Sequence, residues 1–239
     1  MDGSVSNVSD IRASHAVSAR ALWAAVDVAK KGGISTAALL EGLSFDEVGI
    51  RRLRYVDWSD YVTVVERVEE LAGGPEACAR LLERQYHQVL PELQALARAF
   101  IAPKALVRVI IEVINPKVFH PVECRYEDLG GDCIRVRSWL RPGARPCAAF
   151  FRGSLGACRG MTRHLGLPAA ELLTGNVGPR SGSYDLLLPP SRTIAARVTD
   201  RYRSIPSSVV KVVLGYKNGK PESAIVGRVA ERPSDEPQD

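Results

Sequence analysis

Apolar residues recur at helical spacing through the first half of the chain. In the clearest helix, which begins at Ser59, they stand at i, i+3, i+4, i+7 and i+10, on one face of a 3.6-residue helix. These residues are Tyr61, Val64, Val65, Val68 and Leu71. Glycines and prolines mark further boundaries, and they predict helices at 16–31, 75–89, 91–101 and 103–114. The pattern therefore predicts a compact helical half up to residue 116.

Local signals predict where several helices begin and end. Ser35 or Thr36 is placed to cap a short helix that carries Leu39-Leu40. Ser44, followed three residues later by Glu47, has the pattern of a capping box that opens another helix. Asn115-Pro116 is expected to stop the helix at 103–114, because proline disfavours the helical conformation in the residue before it.

After His120 the apolar residues alternate with period two, which is typical of strands. Strands are predicted at 122–126 and 133–140, joined by a tight turn at Gly130-Gly131. A helix at 147–165 follows, with two more strands at 170–177 and 182–188 and a helix at 193–203. The predicted fold class is α+β: an N-terminal helical half, then an antiparallel sheet packed on a helix in the order strand-strand-helix-strand-strand.

The ends of the chain have a different composition from the middle. Residues 1–13 are rich in Ser, Asp and Asn and are expected to be flexible. The main domain is predicted to span 14–205. A hairpin extension is expected at 206–230, around the turn signal Lys217-Asn218-Gly219-Lys220. The polar segment 231–239 is expected to be disordered.

Composition favours a globular protein of the cytoplasm. Hydrophobic residues make up 46% of the chain and charged residues 25%, which is ordinary for a protein with a core. No apolar run is long enough to cross a bilayer, and the N-terminus lacks the layout of a signal peptide. The 5 cysteines include no C-x-x-C pair, so buried reduced thiols are expected and a secreted disulfide framework is not.

Arginine is concentrated in the second half. The net charge is +5, and between Arg135 and Arg163 the chain contains seven arginines and no acidic residue. Alternation along the strand at 133–140 predicts a shared face for Arg135, Arg137, Trp139 and Arg141. With Arg145, these residues are a candidate site for a phosphate, a nucleotide or an acidic protein surface. The alternative is a solvated basic sheet face with Trp139 partly covered by arginine stems.

No motif indicates catalysis or a metal. The four histidines are scattered and lack the partners of a zinc site. Ser154 is predicted in the middle of a helix and does not stand in a G-x-S-x-G elbow. The glycines at 153–160 predict close helix packing, and Cys147 and Cys158 are predicted to face the core. We therefore expect no enzyme activity, no metal and no cofactor.

The order of elements resembles the haem nitric-oxide/oxygen-binding (H-NOX) architecture. Three segments also resemble, in amino-acid sequence and in spacing, a myxobacterial paralogous family of unknown function. The resemblance covers about residues 36–203. They are Leu39-Leu40-Glu41-Gly42-Leu43, Leu71-Ala72-Gly73-Gly74-Pro75-Glu76 and Pro189-Pro190-Ser191-Arg192-Thr193. The resemblance implies the fold and a role in bacterial signalling.

This chain departs from the H-NOX pattern where that family binds haem. The family holds the iron with a His on a helix about 30 residues before a Tyr-x-Ser-x-Arg strand. If Ser138 matches the serine of that motif, the tyrosine position is Val136 and the arginine position is Leu140. The segment 103–114 contains no His, and His120 follows Pro116. The resemblance thus implies the fold without the haem ligands.

These observations favour a haem-free sensory or scaffold domain that binds a small ligand or a protein partner between the helical half and the sheet. The alternative is a nucleotide- or nucleic-acid-associated regulator that uses the Arg135–Arg163 surface. A homodimer is compatible with either hypothesis. The sequence does not identify the ligand or the partner.

Overall fold

The computed structural model describes residues 16–85 and 102–190. Several expectations lie outside these ranges: the flexible segment 1–13, the helices at 91–101 and 193–203, the hairpin at 206–230 and the tail at 231–239. The division of the chain into these domains stays a prediction. Within the described ranges, no helix is long and apolar enough to cross a membrane.

The first part of the described chain is mainly helical, as predicted. Its elements are β1 (Ala16–Ser18), α1 (Ala19–Lys31), α2 (Thr36–Leu40), α3 (Glu47–Ile50), β2 (Tyr55–Asp57), α4 (Trp58–Leu71), α5 (Pro75–Gln85) and α6 (Pro103–Val109). The predicted apolar face of α4 is confirmed in large part, since Tyr61, Val64, Val65 and Val68 are buried; Leu71 is 48% exposed.

The first predicted helix begins three residues later than expected. Residues 16–18 form β1, which pairs antiparallel with β2, Val17 lying opposite Val56. Val17 is fully buried. The partner strand is distant in sequence, so local helical spacing could not indicate the pairing.

Two helix caps are aspartates. The capping box predicted at Ser44 is wrong, because Asp46 precedes α3 and its carboxylate accepts a hydrogen bond from the Gly49 amide at 2.6 Å. Asp57 likewise accepts from the Ser59 amide at the start of α4. Aspartate is as good a cap as serine, and its carboxylate also favours the positive end of the helix dipole.

The prediction that Asn115-Pro116 stops a helix is wrong. After α6, a π-helical turn (Ile110–Ile114) leads directly into α7 (Asn115–Val118). The Asn115 amide donates to the Ile110 carbonyl, five residues back. Pro116 then lies in the first turn of α7, where its missing N–H costs little.

The second part contains the predicted antiparallel sheet. Its strands are β3 (Val122–Gly130), β4 (Cys133–Leu140), β5 (Glu171–Val177) and β6 (Ser181–Leu187), in the spatial order β3-β4-β6-β5. Gly130 and Gly131 both have positive φ in the β3–β4 turn, at 92° and 54°, as a tight hairpin with primed geometry requires. Between the two strand pairs, α8 (Ala148–Gly160) continues into a 3₁₀ turn (Met161–Leu165).

Glycines bring α8 close to α5, which confirms the predicted helix packing. A Cβ at Gly156 would overlap the Ala79 carbonyl, and one at Gly160 would stand 2.6 Å from the Glu83 carbonyl oxygen. Gly153 is similarly close to the side chain of Leu82. Three glycines on one face thus let two helix backbones approach each other.

The described core consists of two clusters, and α8 contributes to both. Phe150 and Phe151 pack in the first cluster with α1, α2 and α4. Cys158 packs in the second, between the inner face of the sheet and the segment formed by α6 and the π turn. In this way α8 connects the helical half to the sheet.

Candidate functional site

The outer face of β4 carries the predicted residues. Ile134, Val136, Ser138 and Leu140 are buried on the inner side, so the alternation predicted for this strand is confirmed. Trp139 is 37% exposed, and the Arg137 side chain is 45% exposed. The inner residues pack against the core, which turns Arg135, Arg137 and Trp139 outward.

Carboxylates from the neighbouring strands lie beside these outward residues. Arg135 donates two hydrogen bonds to Asp185 of β6, at 2.6 and 2.7 Å. These bonds lower the pKa of the Asp185 carboxyl below its ordinary value. Arg137 stands 3.5 Å from Glu127 of β3. β4 itself contains no acidic residue, but the neighbouring strands β3 and β6 place carboxylates on both sides of it.

Glu123 of β3 holds two of the predicted residues. It accepts a hydrogen bond from the Trp139 indole N–H at 2.9 Å, and its other oxygen lies 3.3 Å from Arg141 Nε. Trp139 is thus oriented by a carboxylate. The structure brings Arg135, Arg137, Trp139 and Arg141 to one face, and this face carries acidic partners for all three guanidinium groups.

Arg145 lies elsewhere. Its guanidinium forms a 2.6 Å ion pair with Glu66 of α4 and donates to the Thr63 hydroxyl at 3.2 Å. The neighbouring Trp58 indole donates to the Arg145 carbonyl at 2.8 Å. Arg145 therefore fastens the loop before α8 to the helical half and does not join the sheet face.

The arginines of α8 and the turn after it are also paired with helix carboxylates. Arg152 makes a bidentate contact with Glu69 of α4, at 2.8 and 2.5 Å. Arg159 and Arg163 share Glu83 of α5, at 3.1 and 3.3 Å. Each of the seven arginines in the acid-free stretch thus has a carboxylate partner in the fold, a feature that the sequence pattern did not reveal.

One position on the sheet face keeps an excess of positive charge. Arg125 of β3 lies directly opposite Arg137 of β4, and like charges in that position repel. Glu127 is between them, 3.8 Å from Arg125 and 3.5 Å from Arg137. The Arg125 side chain is 68% exposed. Sequence reasoning missed Arg125, which cross-strand pairing alone brings into the site.

Aromatic rings fill the described interface between the helical half and the sheet half. The centroid of the Phe150 ring of α8 lies 5.2–5.4 Å from the ring centroids of Trp58, Phe119 and Phe151. Tyr61 adds a further contact at 6.2 Å. Tyr184 of β6 donates its hydroxyl to the Phe151 carbonyl. These side chains pack against one another in the described part of the contact between the two halves. A ligand between the halves stays a prediction.

An open groove of about 950 Å³ lies on the helical half instead. It runs along α2 and α3, and its lining is mixed. Polar groups come from Glu41, Asp46, Glu47 and Arg52, and apolar groups from Leu40, Leu43, Phe45 and Leu53. Asp46 is already engaged as a helix cap, and Glu47 pairs with Lys30 at 2.9 Å.

Val136, Leu140 and the two histidines of the described ranges are the residues that bear on the resemblance to the H-NOX haem site. The segment from Pro103 to Ile114 contains no His, Cys, Met or Tyr. Val136 and Leu140 are 1% and 6% exposed, packed in the core. His120 lies in the turn before β3, and its ring is 5.5 Å from the ring of Tyr55. His164 is buried in the 3₁₀ turn after α8.

Ser154 and the buried cysteines lie in surroundings typical of structural residues. Ser154 lies within α8, as predicted. Burial raises the pKa of the Cys78 and Cys147 thiols to about 11 and that of Cys158 to about 12. Cys147 caps α8, its sulfur accepting from the Phe150 amide at 3.3 Å. Among residues 16–85 and 102–190, no cluster of His, Cys, Asp or Glu is arranged to hold a metal ion.

The fold is that of H-NOX proteins. A double-substitution variant of the Tt H-NOX protein superposes with a TM-score of 0.51 at 11% identity, over 74% of this chain and 98% of the other. The Fe(II) unliganded H-NOX protein from K. algicida gives a TM-score of 0.48 at 11% identity, over 73% and 98%. An oxygen-binding H-NOX domain related to soluble guanylate cyclases gives 0.47 at 9%, over 72% and 97%.

No family model matches the chain, and no curated protein matches it in sequence. The likeness to the Tt protein therefore defines the architecture, an H-NOX-like α+β fold, as the element order predicted. At this identity it carries the fold alone.

Proposed function

We propose that this chain is a haem-free regulatory domain on the H-NOX fold, acting by binding a protein partner or a small ligand rather than by catalysis. The observation that carries the proposal is the packed interior. Phe150 and its aromatic neighbours occupy the described space between the helical half and the sheet. Because these rings pack against one another, we place the binding surfaces on the outside of the described part of the domain.

The described residues that the resemblance matches to the haem site do not fit a haem. Haem iron takes a protein ligand such as His, Cys, Met or Tyr, and the segment 103–114 offers none. Where the H-NOX motif has a tyrosine and an arginine, this chain has Val136 and Leu140, and both side chains are buried in the core. His120 is engaged with Tyr55 in a turn, and His164 is enclosed in the core.

The relation to the myxobacterial paralogous family is part of this proposal. Two of its segments lie in turns: Gly42 follows α2 with φ of 71°, and Gly73 and Gly74 separate α4 from α5 with φ of 92° and 103°. These conformations favour glycine. The similar residues in these segments therefore support the same fold in this chain and in the myxobacterial family. They also support a role in signalling.

Native mass spectrometry tests the proposal. The protein is expressed in haem-supplemented cells beside an H-NOX protein that binds haem, and both are sprayed without denaturant. We expect the mass of the chain, or a multiple of it, with no haem. A chain that carries haem in stoichiometric amount would overturn the proposal.

A second candidate function is anion binding at the Arg125–Arg137 pair. The opposed arginines of β3 and β4 share Glu127, which lies 3.8 Å from Arg125 and 3.5 Å from Arg137. An added phosphate would relieve the repulsion between the two arginines. This observation narrows the surface predicted from sequence, since Arg145 and the α8 arginines are engaged with the helical half. The ligand classes that fit are nucleotides, nucleic acids and acidic proteins.

Titration with ATP and with duplex DNA at low salt tests this second function. Binding to exposed arginines should weaken steeply as salt rises. Arg125→Ala with Arg137→Ala should abolish it, whereas Arg145→Ala should leave it unchanged, because Arg145 faces α4. Flat titrations of the wild type, or equal loss in the Arg145 variant, would reject the site.

A further inference from the structure

Four polar residues form one row across the outer face of the sheet. The strand registers place Arg125 of β3 opposite Arg137 of β4. Ser183 of β6 stands opposite Arg137 on the other side, and Asn176 of β5 stands opposite Ser183. Opposed residues of antiparallel strands lie on the same face of a sheet, so all four share the outer face with Arg137. We call these four residues the donor row, because each side chain can donate hydrogen bonds.

The rows on either side of the donor row are paired within the sheet. On one side, Arg135 donates two hydrogen bonds to the Asp185 carboxylate. On the other side, the Glu123 carboxylate accepts from the Trp139 indole and lies 3.3 Å from Arg141. The arginine of each neighbouring row thus has its own carboxylate, and the excess positive charge of this face is confined to the donor row.

The donor row keeps hydrogen-bond donors that the described protein does not use. Glu127 lies 3.8 Å from Arg125 and 3.5 Å from Arg137, which is longer than a close charge-assisted hydrogen bond. Among the residues that the structure describes, neither the Ser183 hydroxyl nor the Asn176 side-chain amide makes a hydrogen bond. Two guanidinium groups, a hydroxyl and an amide thus lie side by side, and a ligand with several acceptor oxygens would engage them.

We infer that the donor row binds the phosphate of a mononucleotide, and that the base of this nucleotide stacks on Trp139. The inference rests on the anion-binding function proposed above and names its ligand. A phosphate suits the row because its oxygens accept from guanidinium, hydroxyl and amide groups alike. One compact phosphate fits better than a chain of phosphates, because the arginines of the two neighbouring rows are already paired with carboxylates.

Trp139 provides a surface for the base. It follows Arg137 by two residues on the same face of β4, about 6–7 Å along the strand, a distance that a ribose spans. The indole is partly exposed, and its hydrogen bond to Glu123 fixes its orientation. Nucleobases stack on aromatic side chains. A nucleotide therefore gains a contact that inorganic phosphate lacks.

Calorimetric titration at low salt with AMP and with inorganic phosphate tests the inference. We expect AMP to bind about tenfold more tightly than phosphate. Ser183→Ala should raise both Kd values about fivefold. Ser181→Ala, the matched change at the preceding outward serine of β6, should leave the Kd for phosphate unchanged. Trp139→Leu should weaken AMP about tenfold and leave phosphate unchanged. Circular dichroism checks that the variants fold.

The outcomes separate this inference from the anion-binding function. Equal affinities for AMP and phosphate would overturn the assignment of a nucleotide, and equal losses in the two serine variants would overturn the donor row. The wild type could instead bind duplex DNA but not AMP, and lose DNA binding in Arg125→Ala with Arg137→Ala. The anion-binding function would then stand and this inference would fall. A wild type that binds none of the three ligands would reject both.

Discussion

Two groups of arginines from one acid-free stretch of sequence meet different surroundings. Arg152 of α8 makes a short bidentate contact with Glu69, whose side chain is 12% exposed. Arg137 and Arg141 contact Glu127 and Glu123 at 3.5 and 3.3 Å, with both guanidinium groups about half exposed. The first kind of pair joins helices within the fold, and the second lies in solvent, where an ion pair contributes about 0–1 kcal/mol. Arginine therefore joins two helices of the fold on α8, whereas the arginines of the sheet face are exposed enough to contact a binding partner.

The largest expected effect concerns the approach of α8 to α5. Gly156→Ala should lower the free energy of unfolding by about 2–3 kcal/mol, because the added methyl overlaps the Ala79 carbonyl. Helix propensity alone predicts the opposite sign, a gain of about 1 kcal/mol. Urea unfolding measures the difference. Ser154→Ala, on the same helix, is the control and should change little; a stabilised Gly156→Ala variant would refute the close packing.

The next effect separates the two kinds of arginine. Arg152→Met should cost about 2 kcal/mol, because it leaves the largely buried Glu69 carboxylate without its partner. Arg141→Met, the matched change on the sheet face, should cost under about 0.5 kcal/mol. Chemical denaturation of both variants gives the comparison. Equal costs would mean that the two environments do not differ.

Several parts of this arrangement could be predicted from sequence. The alternation of β4 and the apolar stripe of α4 are local patterns, and both elements were predicted within a residue or two. The pairing of arginines was not predictable, because Glu69 lies 83 residues from Arg152 in the chain, and a sequence pattern shows only charges that are close together along the chain. The start of β1 and the π turn at Ile110–Ile114 likewise depend on tertiary contacts that local signals do not contain.

Acidification should affect the sheet pair of Arg135 and Asp185. Hydrogen bonds from Arg135 lower the Asp185 pKa in the folded state, so this carboxylate stabilises the fold above its unfolded pKa of about 4 and loses that contribution as pH falls through the lower folded value. The wild type should therefore lose more stability than Asp185→Asn between pH 5 and pH 2. Urea midpoints at a series of pH values measure this. An identical pH dependence in the variant would contradict the pairing.

The smallest effect is expected at the excess positive charge of the sheet face. Arg125→Ala should leave stability within about 0.5 kcal/mol of the wild type or raise it slightly, because it removes a like charge opposite Arg137. Thermal unfolding at low salt is the sensitive measurement, since salt screens the repulsion. If the variant lost more than about 1 kcal/mol of its free energy of unfolding, Arg125 would have to form a stabilising ion pair like that of Arg152 with Glu69.

Haem titration of the purified protein tests the central claim most directly. Haemin is added in steps to the protein and, as a control, to an H-NOX protein stripped of its haem, and the Soret region is recorded. We expect the control to saturate and this chain to give the spectrum of free haemin throughout, because its interior is packed by Trp58, Phe150 and Phe151. A Soret band that saturates at one haem per chain would contradict a haem-free domain.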